Sequence, residues 1–149
     1  METPAAPDSA LSGKKILVID DEESILELVT DSLGARGCLV DRAASSEHAL
    51  ELANRNSYDV ILCDLNLESG SGKVVSGFDL HDHILEKLAT RPRPFFIFMT
   101  GDLVDAAVGE QAGREGNRFL QKPFRITELI ALLNDLPSPA VLQPKDSSS

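Results

Sequence analysis

Three apolar runs that do not alternate with polar residues constrain this chain more than any other feature. They are Lys15-Ile16-Leu17-Val18-Ile19, Asp59-Val60-Ile61-Leu62-Cys63 and Phe95-Phe96-Ile97-Phe98-Met99. A strand with one wet face alternates, whereas a strand covered on both faces does not. Each run also ends abruptly in polar residues, at Asp20-Asp21, at Asp64 and at Thr100-Gly101-Asp102.

Helical spacing fills the intervals. Ile25, Leu28, Val29 and Leu33 recur at that period before Gly34 and Gly37. Cys38 to Ala43 is a weaker, more polar strand suited to a sheet edge. Ser45 or Ser46 can cap a helix carrying Ala49, Leu50 and Ala53, which Asn54 and Asn56 end. A glycine- and serine-rich loop is expected from Leu65 to Ser76, and then a helix with Phe78, Ile84, Leu85 and Leu88. Arg91-Pro92-Arg93-Pro94 is a stiff spacer. Leu103, Val104, Ala107, Val108 and Gln111 suggest a short helix closed by Gly113 or Gly116. Arg118 to Gln121 reads as a second edge strand, and Ile126, Leu129, Ile130 and Leu133 as the cleanest helical stripe. Residues 1–13 and 137–149, rich in Pro, Ala and Ser, read as disordered tails around one domain at 14–136.

Strands separated by helices must pair in parallel through right-handed crossovers. The fold class is therefore α/β, a (βα)5 parallel sheet with helices on both faces. With the three most apolar strands central, the flavodoxin-like order 2-1-3-4-5 is expected.

In such a sheet the C-terminal strand ends share one rim, where ligands bind. That rim would collect Asp20 and Asp21, Asp64, Thr100 and, after the last strand, Lys122. Converging carboxylates repel unless a cation neutralises them, and Mg²⁺ suits a site with few protein ligands and a phosphate. The metal set would be Asp20, Asp21, Asp64 and the backbone carbonyl of Asn66. Lys122 offers a mobile point charge for a phosphoryl oxygen, and the Thr100 hydroxyl can hydrogen-bond another. Each group has a role in in-line phosphoryl transfer to a carboxylate, with Asp64 as acceptor.

Over about Lys14 to Leu136 the chain resembles the receiver domain of the two-component response-regulator family. Ile16-Leu17-Val18-Ile19-Asp20-Asp21-Glu22, Ile61-Leu62-Cys63-Asp64, Met99-Thr100-Gly101 and Lys122-Pro123-Phe124 carry the likeness. The resemblance implies a CheY-like fold, Asp64 as phosphoacceptor, Mg²⁺ on Asp20 and Asp21, and Thr100 and Lys122 reading the phosphoryl group. It also implies a cis Lys122–Pro123 peptide and a switch aromatic at Phe119, which here lacks a hydroxyl. Phosphorylation by a histidine kinase or a histidine phosphotransfer protein would shift the fourth helix, fifth strand and fifth helix. A monomer or a weak phosphorylation-dependent dimer follows from the same likeness. Asn66 and Asp102, two residues beyond Asp64 and Thr100, are both small and polar, which implies a short-lived phosphate.

One segment departs from the family. Leu67 to Ser76 is longer than the usual loop after the phosphoacceptor and lacks its proline. It reads either as a lid or partner contact, or as a tolerated surface insertion.

Composition removes several alternatives. With 14 basic and 24 acidic residues the net charge is -10, so direct binding to DNA or to anionic membrane is disfavoured. Cys38 and Cys63 sit in apolar runs, which points to a reduced, cytoplasmic setting. No signal peptide or membrane span is apparent. His81 and His83, two apart on a helix, are poor joint metal ligands, and His48 reads as a surface residue. An aspartyl-phosphate hydrolase of the haloacid dehalogenase kind needs a second Asp two after the first, and Asn66 stands there. With no periodic apolar content after Leu136, no output domain is expected to follow. The chain would act on a downstream protein or shuttle phosphate, and would be no enzyme beyond its own phosphorylation and dephosphorylation. A receiver-like module working without phosphorylation is the alternative.

Overall fold

The computed structural model describes residues 11–68, 74–88, 93–101 and 118–136. Five parallel strands form the main sheet: β1 (Lys15–Ile19), β2 (Leu39–Ala43), β3 (Val60–Asp64), β6 (Phe95–Thr100) and β7 (Arg118–Gln121). Their order is β2-β1-β3-β6-β7, which among the five is the expected 2-1-3-4-5. The helices are α1 (Glu23–Gly34), α2 (Ser46–Arg55), α3 (Gly77–Lys87) and α4 (Ile126–Asp135).

The apolar runs are central for the reason their sequence suggests. In β3 all five residues are buried, and Ile16 to Ile19 of β1 have no exposed surface. Burying one such side chain stabilises the fold by roughly 1.5–3 kcal/mol, so covering both faces of three strands dominates the choice of topology. Leu17, Ile19, Ile61, Cys63, Phe96 and Phe98 face α2 and α3. Ile16, Val18, Val60, Leu62, Ile97 and Met99 face α1 and α4. The polar strand β2 lies at the edge with Leu39 59% exposed.

Local chemistry sets the helix ends. The Ser45 hydroxyl accepts the His48 N–H at 3.2 Å, and the Asn56 side-chain amide donates to the Leu52 carbonyl at 3.1 Å. At the start of α4 the Glu128 carboxylate accepts the Arg125 N–H at 2.8 Å.

Two expectations are corrected. The segment from Leu65 to Ser76 is not all loop. Asn66–Glu68 (β4) and Val74–Ser76 (β5) pair antiparallel, Asn66 opposite Ser76 and Leu67 opposite Val75. Leu67 is fully buried in the core beneath α2 and α3, which anchors this hairpin, and the Ser76 hydroxyl then caps α3 through the Phe78 N–H. The lead-in expected to be disordered to Gly13 is already packed at Leu11, which is fully buried. The Gly13 N–H donates to the Gly37 carbonyl at 2.8 Å, and at φ 84° Gly13 holds a turn that L side chains rarely adopt. Residues 1–10, residues 69–73 of the expected loop, Arg91-Pro92, Asp102, the helix expected from Leu103 to Gln111 and the residues from Pro137, expected to be a disordered tail, lie outside the described residues.

Candidate functional site

β1, β3 and β6 end on one rim, and β7 returns Lys122 to it. Asp20 follows β1, fully buried, its N–H bonded to the Ala43 carbonyl of β2. Asp64 closes β3 and Thr100 closes β6, and both are buried. The Lys122 N–H donates to the Thr100 carbonyl at 2.8 Å, so β6 fixes where the lysine leaves the sheet. The Lys122–Pro123 peptide is cis. Asp21 is exposed at the mouth.

One oxygen each of Asp20, Asp21 and Asp64 lie within 4.8 Å of one another. The Lys122 ammonium sits against this cluster, 2.7 Å from Asp20 Oδ2, 3.0 Å from Glu22 Oε1 and 3.4 Å from Asp64 Oδ2. The Asp20 oxygens differ in status. Oδ1 accepts the Glu22 N–H at 2.9 Å, whereas Oδ2 is buried and receives no aligned hydrogen bond, so Lys122 serves it as an ion-pair partner only. A buried oxygen left open in a set of three carboxylates fits a hard divalent cation such as Mg²⁺.

The electrostatics follow from burial. Loss of solvent, with Asp64 nearby, pushes the Asp20 carboxyl up to about 6 against the pull of Lys122 and the Glu22 N–H. Burial alone would lower Lys122, but its close pairing with Asp20 and Glu22 and the charge of Asp64 outweigh it and hold the ammonium above its ordinary value. The lysine is therefore a fixed cation here, and Cys63, raised by burial and by the two aspartates, is no nucleophile.

Beside the pocket lies an aromatic cluster. The half-buried Phe119 ring is 5.5 Å from Phe98 and 6.1 Å from Phe78, and Phe78 meets Phe98 edge-on at 5.0 Å. His81 is buried in the same cluster, 4.5 Å from Phe96, while His83 and His48 are exposed, so His81 and His83 point to different faces as their spacing suggests. Asn66 opens β4 two residues past Asp64, and Asp102 lies outside the described residues.

Two contributors carry weak sequence signals. Nothing separates Glu22 from its acidic neighbours, and its partner Lys122 is 100 residues away. Gly77 stands two after Val75 with no turn signature, yet its N–H donates to the Leu65 carbonyl at 2.8 Å.

The family model for the response regulator receiver domain matches residues 16–134. The chain belongs to this receiver family. Receiver domains are signalling modules of two-component systems, and members hold Mg²⁺ at an acidic cluster of the kind formed by Asp20, Asp21 and Asp64. This receiver domain is 27% identical to the transcriptional regulatory protein TcrA of Mycobacterium tuberculosis, over 96% of the chain and 56% of TcrA. It is 33% identical to the transcriptional regulatory protein HprR of Escherichia coli, over 78% of the chain and 48% of HprR. The chain thus spans about half the length of these curated relatives. Among solved structures it resembles the chemotaxis protein CheY4 of Vibrio cholerae, at TM-score 0.70 and 25% identity over 85% of this chain and all (100%) of that one. A Burkholderia pseudomallei response regulator, solved with a phosphorylated aspartic acid, calcium ion and citrate, matches at TM-score 0.68 and 28% identity, over 89% of this chain and 72% of that one. Among the described residues no helix of this receiver domain is long and apolar enough to cross a membrane.

Proposed function

We propose that Asp64 is the phosphoacceptor of this receiver domain and that it takes its phosphoryl group from a phosphohistidine on a kinase or phosphotransfer partner. The observation that carries the reading is the Asp64 carboxylate at the β3 end, with Lys122 Nζ 3.4 Å away and carboxylate oxygens of Asp20 and Asp21 within 4.8 Å. A carboxylate oxygen of Asp64 attacks phosphorus in line, the O–P bond forms as the P–N bond breaks, and the imidazole leaves. Mg²⁺, held by Asp20, Asp21, Asp64 and the Asn66 carbonyl, would supply neutralisation of the phosphoryl oxygens. Lys122 pairs with one phosphoryl oxygen and the Thr100 hydroxyl donates to another. Their shared backbone hydrogen bond supports a concerted move of the β6 and β7 ends when the new charge arrives. Phe119, on β7 three residues before Lys122 and against the Phe98 ring, repacks with them and presents the change on β7 and α4 to a protein partner. Asn66 and Asp102 leave the phosphate open to water. The setting is cytoplasmic, in keeping with two buried cysteines in apolar surroundings.

Incubation with Mg²⁺ and a small acyl phosphate, read by intact mass, tests this. One added phosphoryl group on the native protein, lost in Asp64→Asn, supports the switch. No adduct from any donor would favour a phosphate-independent interaction module.

A further inference from the structure

Glu22 enters this site twice. Its backbone N–H binds Asp20 Oδ1 at 2.9 Å, which turns Oδ2 toward the pocket. Its side chain, 58% exposed, reaches Lys122 Nζ at 3.0 Å. The lysine is only 17% exposed and stands 2.7 Å from Asp20 Oδ2, the buried oxygen that otherwise lacks a donor. A divalent ion on Oδ2 would compete with the ammonium for that oxygen and repel it, and the ammonium, hemmed in by burial, would then gain from another counter-charge close by. Glu22 is the exposed partner of the same Nζ, while Asp64, 11% exposed, is taken up by the proposed metal set.

We infer that Glu22 is a positioning residue: it receives Lys122 when a divalent cation displaces the ammonium from Asp20, and so holds the lysine within reach of Asp64. The inference rests on the reading of Asp20 as a metal ligand and Lys122 as the phosphoryl-reading cation. It differs from a general acidic field, because an exposed carboxylate acts weakly through solvent at physiological salt. Glu22 instead acts through one contact with one partner, so its effect must vanish with that partner.

A double-mutant cycle on the full chain decides it, with calorimetric titration of Mg²⁺ alone as readout. Glu22→Gln keeps the backbone N–H and removes the charge. It is expected to weaken Mg²⁺ binding about threefold to tenfold in the native background, and less than about twofold in the Lys122→Gln background. Lys122→Met provides a second background should the glutamine variant fold poorly. Equal weakening with and without the lysine, or none in either, overturns the inference. A failure of the reading beneath it appears separately, as absence of any phosphoryl adduct on the native protein with Mg²⁺ and acyl phosphate.

Discussion

The first residue of α3, Gly77, packs against the carbonyl of Asp64 so closely that a β-carbon on it would lie 2.6 Å from that oxygen and 3.0 Å from Leu65 Cα. Both obstacles are backbone, so neither can rotate away.

Two effects compete in Gly77→Ala. Helix propensity favours alanine by about 1 kcal/mol, and the clash opposes it by about 1–3 kcal/mol, the range for overpacked sites. The clash is expected to win. Urea unfolding should give a lower midpoint with unchanged slope, and a midpoint that rises would mean that α3 moves off the β3 end freely.

Asp20→Asn reverses sign with the metal. The carboxylate is fully buried beside Asp64, so in chelator the neutral amide is expected to raise the melting temperature. Added Mg²⁺ is expected to stabilise the native protein by mass action and to leave the variant nearly unchanged. A variant less stable than native protein in chelator would mean that the Lys122 pair outweighs the burial of the charge.

Phe98 and Phe119 are neighbours with different burdens. Phe98 has no exposed surface and touches Phe78, Phe96, His81 and Phe119. Phe98→Ala should destabilise by about 3–5 kcal/mol. Phe119 is half-buried, so Phe119→Ala should destabilise by roughly half as much or less. Chemical denaturation of both variants measures the ratio, and equal losses would place Phe119 deeper in the packing than its exposure indicates.

The chain has one tyrosine and no tryptophan, so near-ultraviolet phenolate absorbance reports Tyr58 alone. Burial, then the hydrogen bond of its hydroxyl to Asp41 Oδ2 at 2.7 Å, raises its pKa. A raised folded value contributes stability that is whole below the unfolded value of about 10 and is lost as pH rises through the folded one. Phenolate should therefore appear together with loss of far-ultraviolet circular dichroism. Titration near 10 with the dichroism intact would contradict the assigned environment.

Sheet order and rim were legible because each rests on a strong local signal. Ile16 to Ile19, Val60 to Cys63 and Phe96 to Met99 lack alternation because both faces are covered, and parallel pairing then brings Asp20, Asp64, Thr100 and Lys122 to one rim. The hairpin was illegible because its strands have three residues each and its buried anchor Leu67 stands between the polar Asn66 and Glu68. Leu67 and the pair Val74-Val75 are apolar, but runs this short, parted by glycines and serines, are too brief to show a period. Leu11 escaped for the same reason, alone among Pro, Ala and Ser. Glu22 escaped because an ion pair across 100 residues leaves no mark on local spacing.

The hairpin that begins at Asn66 closes on itself before the main architecture resumes. Asn66 faces Ser76, and the Gly77 N–H already returns to the Leu65 carbonyl at 2.8 Å. The sheet and α3 therefore meet the same two anchor points whatever lies between them. That makes the pairing a clasp: a substitution that opened it would part the end of β3 from the start of α3 while leaving the five-stranded frame untouched.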